Sequence, residues 1–120
     1  MLSVRVLVVD DQETYRRAAA SVIDATDGFV LVGTASSGEE SLAAVAETSP
    51  DLVLMDVNLP GIDGIEATRR LTAAGNGPVV VLLSTYDQED IDFERSGASA
   101  YFPKARFGPE ELSAAWAAHG

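Results

Sequence analysis

Leu52-Val53-Leu54-Met55-Asp56-Val57-Asn58-Leu59-Pro60-Gly61-Ile62-Asp63-Gly64 runs from four apolar residues into an acid, and from there through a Pro-Gly turn to a second acid. An apolar run without polar alternation is what a strand covered on both faces requires. Asp63-Gly64 then opens a segment in which Ile65, Thr68 and Leu71 share one helical face. The stretch reads as strand, loop, helix. Taken alone, Asp56 is explained by turn initiation.

The same unit recurs on both sides. Val4 to Val9, Phe29 to Val32, Val79 to Leu83 and Ala100 to Phe102 are further short runs rich in β-branched residues or leucine. Thr14 to Asp24 places Tyr15, Ala18, Ala19, Val22 and Ile23 on one stripe, whereas Arg16-Arg17 and Arg69-Arg70 read as solvated helix faces. Ser37-Gly38-Glu39-Glu40 is a capping box opening a helix with Leu42, Val45 and Ala46 inside. Gly108-Pro109-Glu110-Glu111 sets proline at the first helical position, and Leu112, Ala115, Trp116 and His119 form the inner stripe that follows. Strands alternating with helices, about 25 residues per unit, imply βαβ crossovers and a parallel sheet between helices. The expectation is one α/β domain over residues 1–120. Its weak unit is Gln88 to Ser96, with Glu89, Asp90, Asp92 and Glu94 and with Ile91 and Phe93 only two apart; a helix there is short.

Composition narrows the chemistry. The 120 residues include 19 acids and 8 bases, a net charge of −11, and no cysteine. Disulfides, thiolate nucleophiles and cysteine-ligated metals are excluded. The only histidine, His119, is next to the last residue, a poor support for a catalytic triad or a histidine metal site. So acidic a surface repels phosphate backbones, which argues against direct nucleic-acid binding. No apolar run approaches the ~20 residues of a membrane span. The first apolar stretch ends in Asp10-Asp11, unlike a secretory signal, and the expected location is cytoplasmic.

Open parallel sheets bind ligands at the carboxyl ends of their strands. At those ends this chain places Asp10-Asp11, Asp56, Ser84-Thr85 and, just beyond the last strand, its sole lysine, Lys104. Each has a plain reading singly, as a helix cap, a turn or a solvated cation. Together, three converging carboxylates repel one another by roughly 4 kcal/mol per close pair at an effective dielectric near 20, and a divalent cation relieves that. All-oxygen ligation selects a hard ion, Mg²⁺ first. A lysine opposite and a hydroxyl at Ser84 complete a site for phosphoryl transfer to a carboxylate nucleophile.

Val8-Val9-Asp10-Asp11, Leu54-Met55-Asp56, Asn58-Leu59-Pro60-Gly61, Asp63-Gly64, Leu83-Ser84-Thr85 and Gly97-Ala98-Ser99-Ala100-Tyr101-Phe102-Pro103-Lys104 resemble, in order and spacing, the receiver domain of two-component response regulators. Leu83-Ser84-Thr85-Tyr86-Asp87 is similar to receivers of the LuxR/NarL type. The resemblance implies a doubly wound, flavodoxin-like (βα)5 fold with strand order 2-1-3-4-5. It implies that Asp56 accepts a phosphoryl group from a sensor histidine kinase. Asp11, Asp56 and the backbone carbonyl of Asn58 would hold Mg²⁺, with Asp10 acting through water. Lys104 would pair with the phosphoryl group and Ser84 would hydrogen-bond it. Tyr101 would turn inward, altering the surface of the fourth helix, fifth strand and fifth helix. By the same resemblance Thr85 would leave an entry route, and Asn58 and Tyr86 would tune dephosphorylation, the bulky Tyr86 slowing it. Implied partners are the kinase, an output domain or downstream protein that makes this a transcription regulator, and a phosphorylation-dependent homodimer. Beyond self-phosphorylation and autodephosphorylation no enzyme activity is implied.

Two departures from the family pattern stand out. Only twelve residues separate Ser84 from Gly97, fewer than is usual and very acidic, and Ala105 follows the lysine where many receivers carry proline. Here Pro103 precedes it, which an edge strand tolerates. The chief alternative is a degenerate receiver acting as a phosphorylation-independent interaction module. A phosphatase of the haloacid dehalogenase type would need Asp-x-Asp after the first strand, where Asp10-Asp11-Gln12-Glu13 stands. A flavodoxin-like FMN carrier would need a glycine- and hydroxyl-rich phosphate loop at the same place.

Overall fold

The computed structural model describes residues 3–85 and 93–119. In chain order it contains β1 (Val4–Val9), α1 (Glu13–Asp24), β2 (Phe29–Ala35), α2 (Gly38–Thr48), β3 (Leu52–Asp56), α3 (Gly64–Thr72), β4 (Val79–Ser84), α4 (Phe93–Ser96), β5 (Ala100–Pro103), one 3₁₀ turn at Lys104–Arg106, and α5 (Pro109–His119). The strands pair in parallel in the order β2-β1-β3-β4-β5. The first crossover goes to one side of β1 and the rest to the other, so the strand order reverses between β1 and β3.

Alternation along the central strands builds two core layers. Val6 and Val8 of β1, Leu52 and Leu54 of β3 and Val81 and Leu83 of β4 face Ile23 of α1 and Leu112 and Ala115 of α5. Leu7, Val9, Val53, Met55, Val80 and Leu82 point the other way, toward Ala44 and Val45 of α2 and Ala67 and Leu71 of α3. Both faces are covered, so the positions in the middle of these strands are apolar. The expected burial on both faces holds for β3 throughout and for nearly all of β1 and β4. It does not hold for β2 and β5, which are mostly half-buried because they are edges with one neighbour each.

The boundaries differ in one instructive place. β2 continues three residues past Val32, through Gly33-Thr34-Ala35, although that tripeptide has no strand signature. Its pairing with β1 slips by one residue between Val6 and Leu7, so Leu7 faces Gly33, and a Cβ on Gly33 would meet Leu7 Cδ1 at 3.4 Å. The bulge and the bare Cα let the strand run on. Pro103 ends the edge strand β5 opposite Ser84, as its missing N–H allows.

Helix ends follow the local chemistry. Ser37 Oγ accepts the Glu40 N–H at 3.0 Å, while the Glu40 carboxylate reaches back to the N–H and Oγ of Ser36, not to Ser37. Asp63 caps α3 by accepting the Glu66 N–H at 2.8 Å. A Ser37→Ala chain is expected to lose about 1 kcal/mol, read as a fall of roughly 4 °C in Tm. Three side chains assigned to inner stripes are exposed: Ala18, Ala46 and His119. In α2 the buried positions are Gly38 and Ser41, and the Ser41 Oγ donates to the Gly38 carbonyl, so a hydroxyl with a local partner takes the place of a hydrocarbon. His119 stacks on Trp116 at the solvent-facing end of α5. The short helix expected before Gly97 is present as α4; residues 86–92, including Tyr86, lie outside the described residues.

Candidate functional site

Sheet register gathers the acids. Val9 pairs with Met55, so Asp10 and Asp56 emerge one step later from adjacent strands. Asp56 faces Leu83, one step before Ser84, and Ser84 faces Pro103, one step before Lys104. Four chain segments thus deliver Asp10-Asp11, Asp56, Ser84 and Lys104 to one crevice at the carboxyl edge of the sheet. Asp10 and Asp56 are buried, 1% and 3% exposed, whereas Asp11 is exposed. One oxygen from each of these three carboxylates lies within 4.8 Å of the others. That spacing and all-oxygen chemistry suit a hard divalent cation, and the exposed Asp11 leaves a side open to its waters.

Lys104 crosses the crevice. Its Nζ lies 2.5 Å from Asp10 Oδ2 and 3.5 Å from Asp56 Oδ2, with the side chain 11% exposed. Asp10 also accepts the Gln12 N–H at 2.8 Å, and Asp56 Oδ1 accepts the Asn58 N–H at 3.2 Å. Burial first, and then the Asp10 carboxylate, push Asp56 up from 3.8 to about 6, against the opposing pull of Lys104 and the Asn58 N–H. Asp56 is therefore a buried carboxylate whose charge is only partly compensated.

The family profile of the response regulator receiver domain matches residues 6–117. The chain belongs to this family. Response regulator GacA of Pseudomonas viridiflava is 41% identical over 103 residues, covering 84% of this chain and 48% of GacA. A protein-glutamate methylesterase/protein-glutamine glutaminase of Nocardioides sp. is 39% identical over 108 residues, 87% of this chain and 30% of that protein. The chain thus spans about half or less of the length of these curated relatives. The signal receiver domain of the response regulator NarL from Mycobacterium tuberculosis superposes with a TM-score of 0.89 at 26% identity, covering 100% of this chain and 99% of that one. The strand order and the NarL-type likeness expected from the sequence are both met, and membership leaves no place for the phosphatase or FMN-carrier readings.

In this receiver domain Ser84 is fully buried at the end of β4 and Thr85 is exposed beside it. Asn58 is exposed in the β3–α3 loop. Tyr101, paired in register with Leu82, is half-buried against the layer formed by Leu7, Val53 and Leu82. Two site neighbours were not recognised as such in the sequence. Arg16, expected on a solvated face, is half-buried and donates from Nη1 to the Asp10 carbonyl at 2.7 Å; Arg17 does remain exposed, paired with Glu13. Tyr15, expected in the core stripe, carries Lys104 Nζ 4.4 Å from its ring centroid. Burial, then Asp10 and Asp56, raise its hydroxyl from 10.0 to about 12, so the ring stays neutral. The available signal was spacing: Arg16 lies four residues after Gln12 and three before the buried Ala19, on the side of α1 that faces the strands.

Proposed function

We propose that this receiver domain, residues 1–120, takes a phosphoryl group onto Asp56 from a histidine kinase and relays the change to an output domain or downstream protein. The observation that carries the reading is Lys104 reaching both Asp10 and Asp56 in a crevice of three carboxylates. An Asp56 oxygen attacks phosphorus, the P–N bond of a phospho-imidazole breaks, and its electron pair leaves on the ring nitrogen, which then takes up a proton. Asp11, Asp56 and the Asn58 carbonyl would hold Mg²⁺ directly and Asp10 through water, the ion supplying neutralisation of the carboxylates and of the incoming oxygens. Lys104 exchanges a carboxylate oxygen for a phosphoryl oxygen, and the Ser84 hydroxyl donates to another. Thr85 leaves the entry route open. Tyr101 turning further inward would reshape the surface of α4, β5 and α5, a shift between two populations biased by the new hydrogen bonds. Asn58 and Tyr86 would set how fast water removes the phosphate.

The acidic surface suits a cytoplasmic protein-binding module that leaves DNA contacts to another domain, and a phosphorylation-dependent homodimer remains among the proposed partners. The interaction-only reading is not favoured, because the acids and the lysine converge instead of having drifted apart.

Intact-mass spectrometry after incubation with acetyl phosphate tests the chemistry, since the same attack breaks a P–O bond and releases acetate. One phosphoryl adduct is expected, requiring Mg²⁺ and lost in Asp56→Asn. Folded wild-type protein without an adduct in the presence of Mg²⁺ would sink the proposal.

A further inference from the structure

The ammonium of Lys104 is bounded by an aromatic face as well as by acids. Its Nζ sits 4.4 Å from the Tyr15 ring centroid, on a side chain that is only 11% exposed. Tyr15 belongs to the first turn of α1, directly after the acid pair. That turn is tied down twice: Asp10 Oδ1 accepts the Gln12 N–H, and the Arg16 guanidinium holds the Asp10 carbonyl. The ring is therefore placed relative to Asp10 by the same backbone that places Asp10 itself.

An ammonium over a ring face is attracted by the ring's quadrupole, and the attraction consumes none of its three N–H donors. Acids alone give Lys104 a choice between staying on Asp10 and leaning out to water once Asp10 lets go. A neutral ring provides a wall that attracts the cation without competing for its hydrogen bonds. We propose that Tyr15 is a positioning residue whose ring face keeps the Lys104 ammonium inside the crevice while it passes from Asp10 to an oxygen of the group on Asp56. This rests on the proposed roles of Asp56 and Lys104. It assigns the effect to the ring and makes the hydroxyl dispensable.

The chain supplies its own probe, because Lys104 is its only lysine and ¹³C-lysine labelling gives a single set of side-chain signals. In wild type the ε-methylene protons are expected upfield of an exposed lysine, through the ring current of Tyr15. Tyr15→Phe should keep that shift and phosphorylate from acetyl phosphate within about twofold of wild type. Tyr15→Leu and Tyr15→Met, which fill the space without a π-face, should lose the shift and slow phosphorylation by about fivefold. Either apolar variant suffices if the other fails to fold. Wild-type rates in the folded apolar variant would overturn the proposal, and so would a Phe variant as slow as the Leu variant, which would assign the effect to the hydroxyl. Lys104→Met run in parallel separates the two levels. A rate unaffected by that change overturns the role given to Lys104, and with it the role of the ring; a rate lowered by Lys104→Met but not by loss of the ring overturns Tyr15 alone.

Discussion

A Gly64→Ala chain is expected to be less stable than wild type by about 3 kcal/mol or more and, on the proposed function, to lose most of the phosphorylation of Asp56. Gly64 is the first residue of α3, and its N–H donates to the Val57 carbonyl at 2.9 Å. A Cβ there would stand 2.0 Å from the Asp56 carbonyl oxygen and 2.9 Å from Val57 Cα. These are backbone atoms, so no rotamer change relieves the overlap. Either α3 lifts off the sheet, exposing Ala67 and Thr68, or the Asp56 peptide moves and carries the carboxylate out of the crevice. The control is Gly75→Ala. Gly75 has φ +79 and nothing within 4 Å of an added Cβ, so it reports the cost of a left-handed backbone alone, about 1 kcal/mol. Urea unfolding of the three proteins makes the comparison. Equal losses at the two glycines would show that close approach of the helix to the Asp56 peptide is not what Gly64 serves.

The second large effect has an unusual sign. Asp56→Asn is expected to stabilise the metal-free protein near neutral pH by roughly 2–3 kcal/mol. Folding raises Asp56 from 3.8 to about 6, so between those values the folded chain holds a proton that the unfolded chain has released. The corresponding stability is fully present below about 3.8 and is lost as pH rises through about 6. Above that, the folded state carries a buried charge beside Asp10, and asparagine removes it while its side-chain oxygen still accepts from the Asn58 N–H. The difference between the two proteins should therefore shrink as pH falls toward about 4. Millimolar Mg²⁺ should stabilise wild type and affect Asp56→Asn much less. Thermal unfolding in chelator across this pH range decides the matter. An asparagine variant that is less stable at about pH 7.5, or a gap that does not change with pH, would contradict the account of Asp56 as an under-compensated buried charge.

The order of elements was legible because each rests on local chemistry. The apolar runs at Val4, Leu52 and Val79, the Ser37 and Asp63 caps, and Pro109 at a helix start need no tertiary information. What lay beyond reach depended on neighbours distant in sequence. Gly33-Thr34-Ala35 is strand only because Leu7, Val8 and Val9 lie beside it with a one-residue slip. Ser41 is buried only because its hydroxyl has the Gly38 carbonyl at hand. The same division runs through the site. The acids and the lysine were legible from their positions at strand ends, and the register does place them together. Arg16 and Tyr15 were not, since an arginine on a helix is usually solvated and an aromatic on its inner stripe usually packs. Their places beside the site come from contacts with Asp10 and Lys104 that the helical period alone does not show.

The pairing of Asp10 with Lys104 joins residues 94 positions apart, so it closes most of the 120 residues into one loop. Loop closure over that span is entropically costly and happens only once many intervening contacts are in place. During synthesis, the acids of β1 and β3 leave the ribosome well before β5 and its lysine. A nascent chain that ends between Asp56 and Lys104 holds the carboxylates without their cation. On the proposed function, competence in the crevice therefore waits for β5 and Lys104, with only α5 still to follow, and a phosphodonor that depends on Lys104 reads out a nearly complete fold as well as chemical identity.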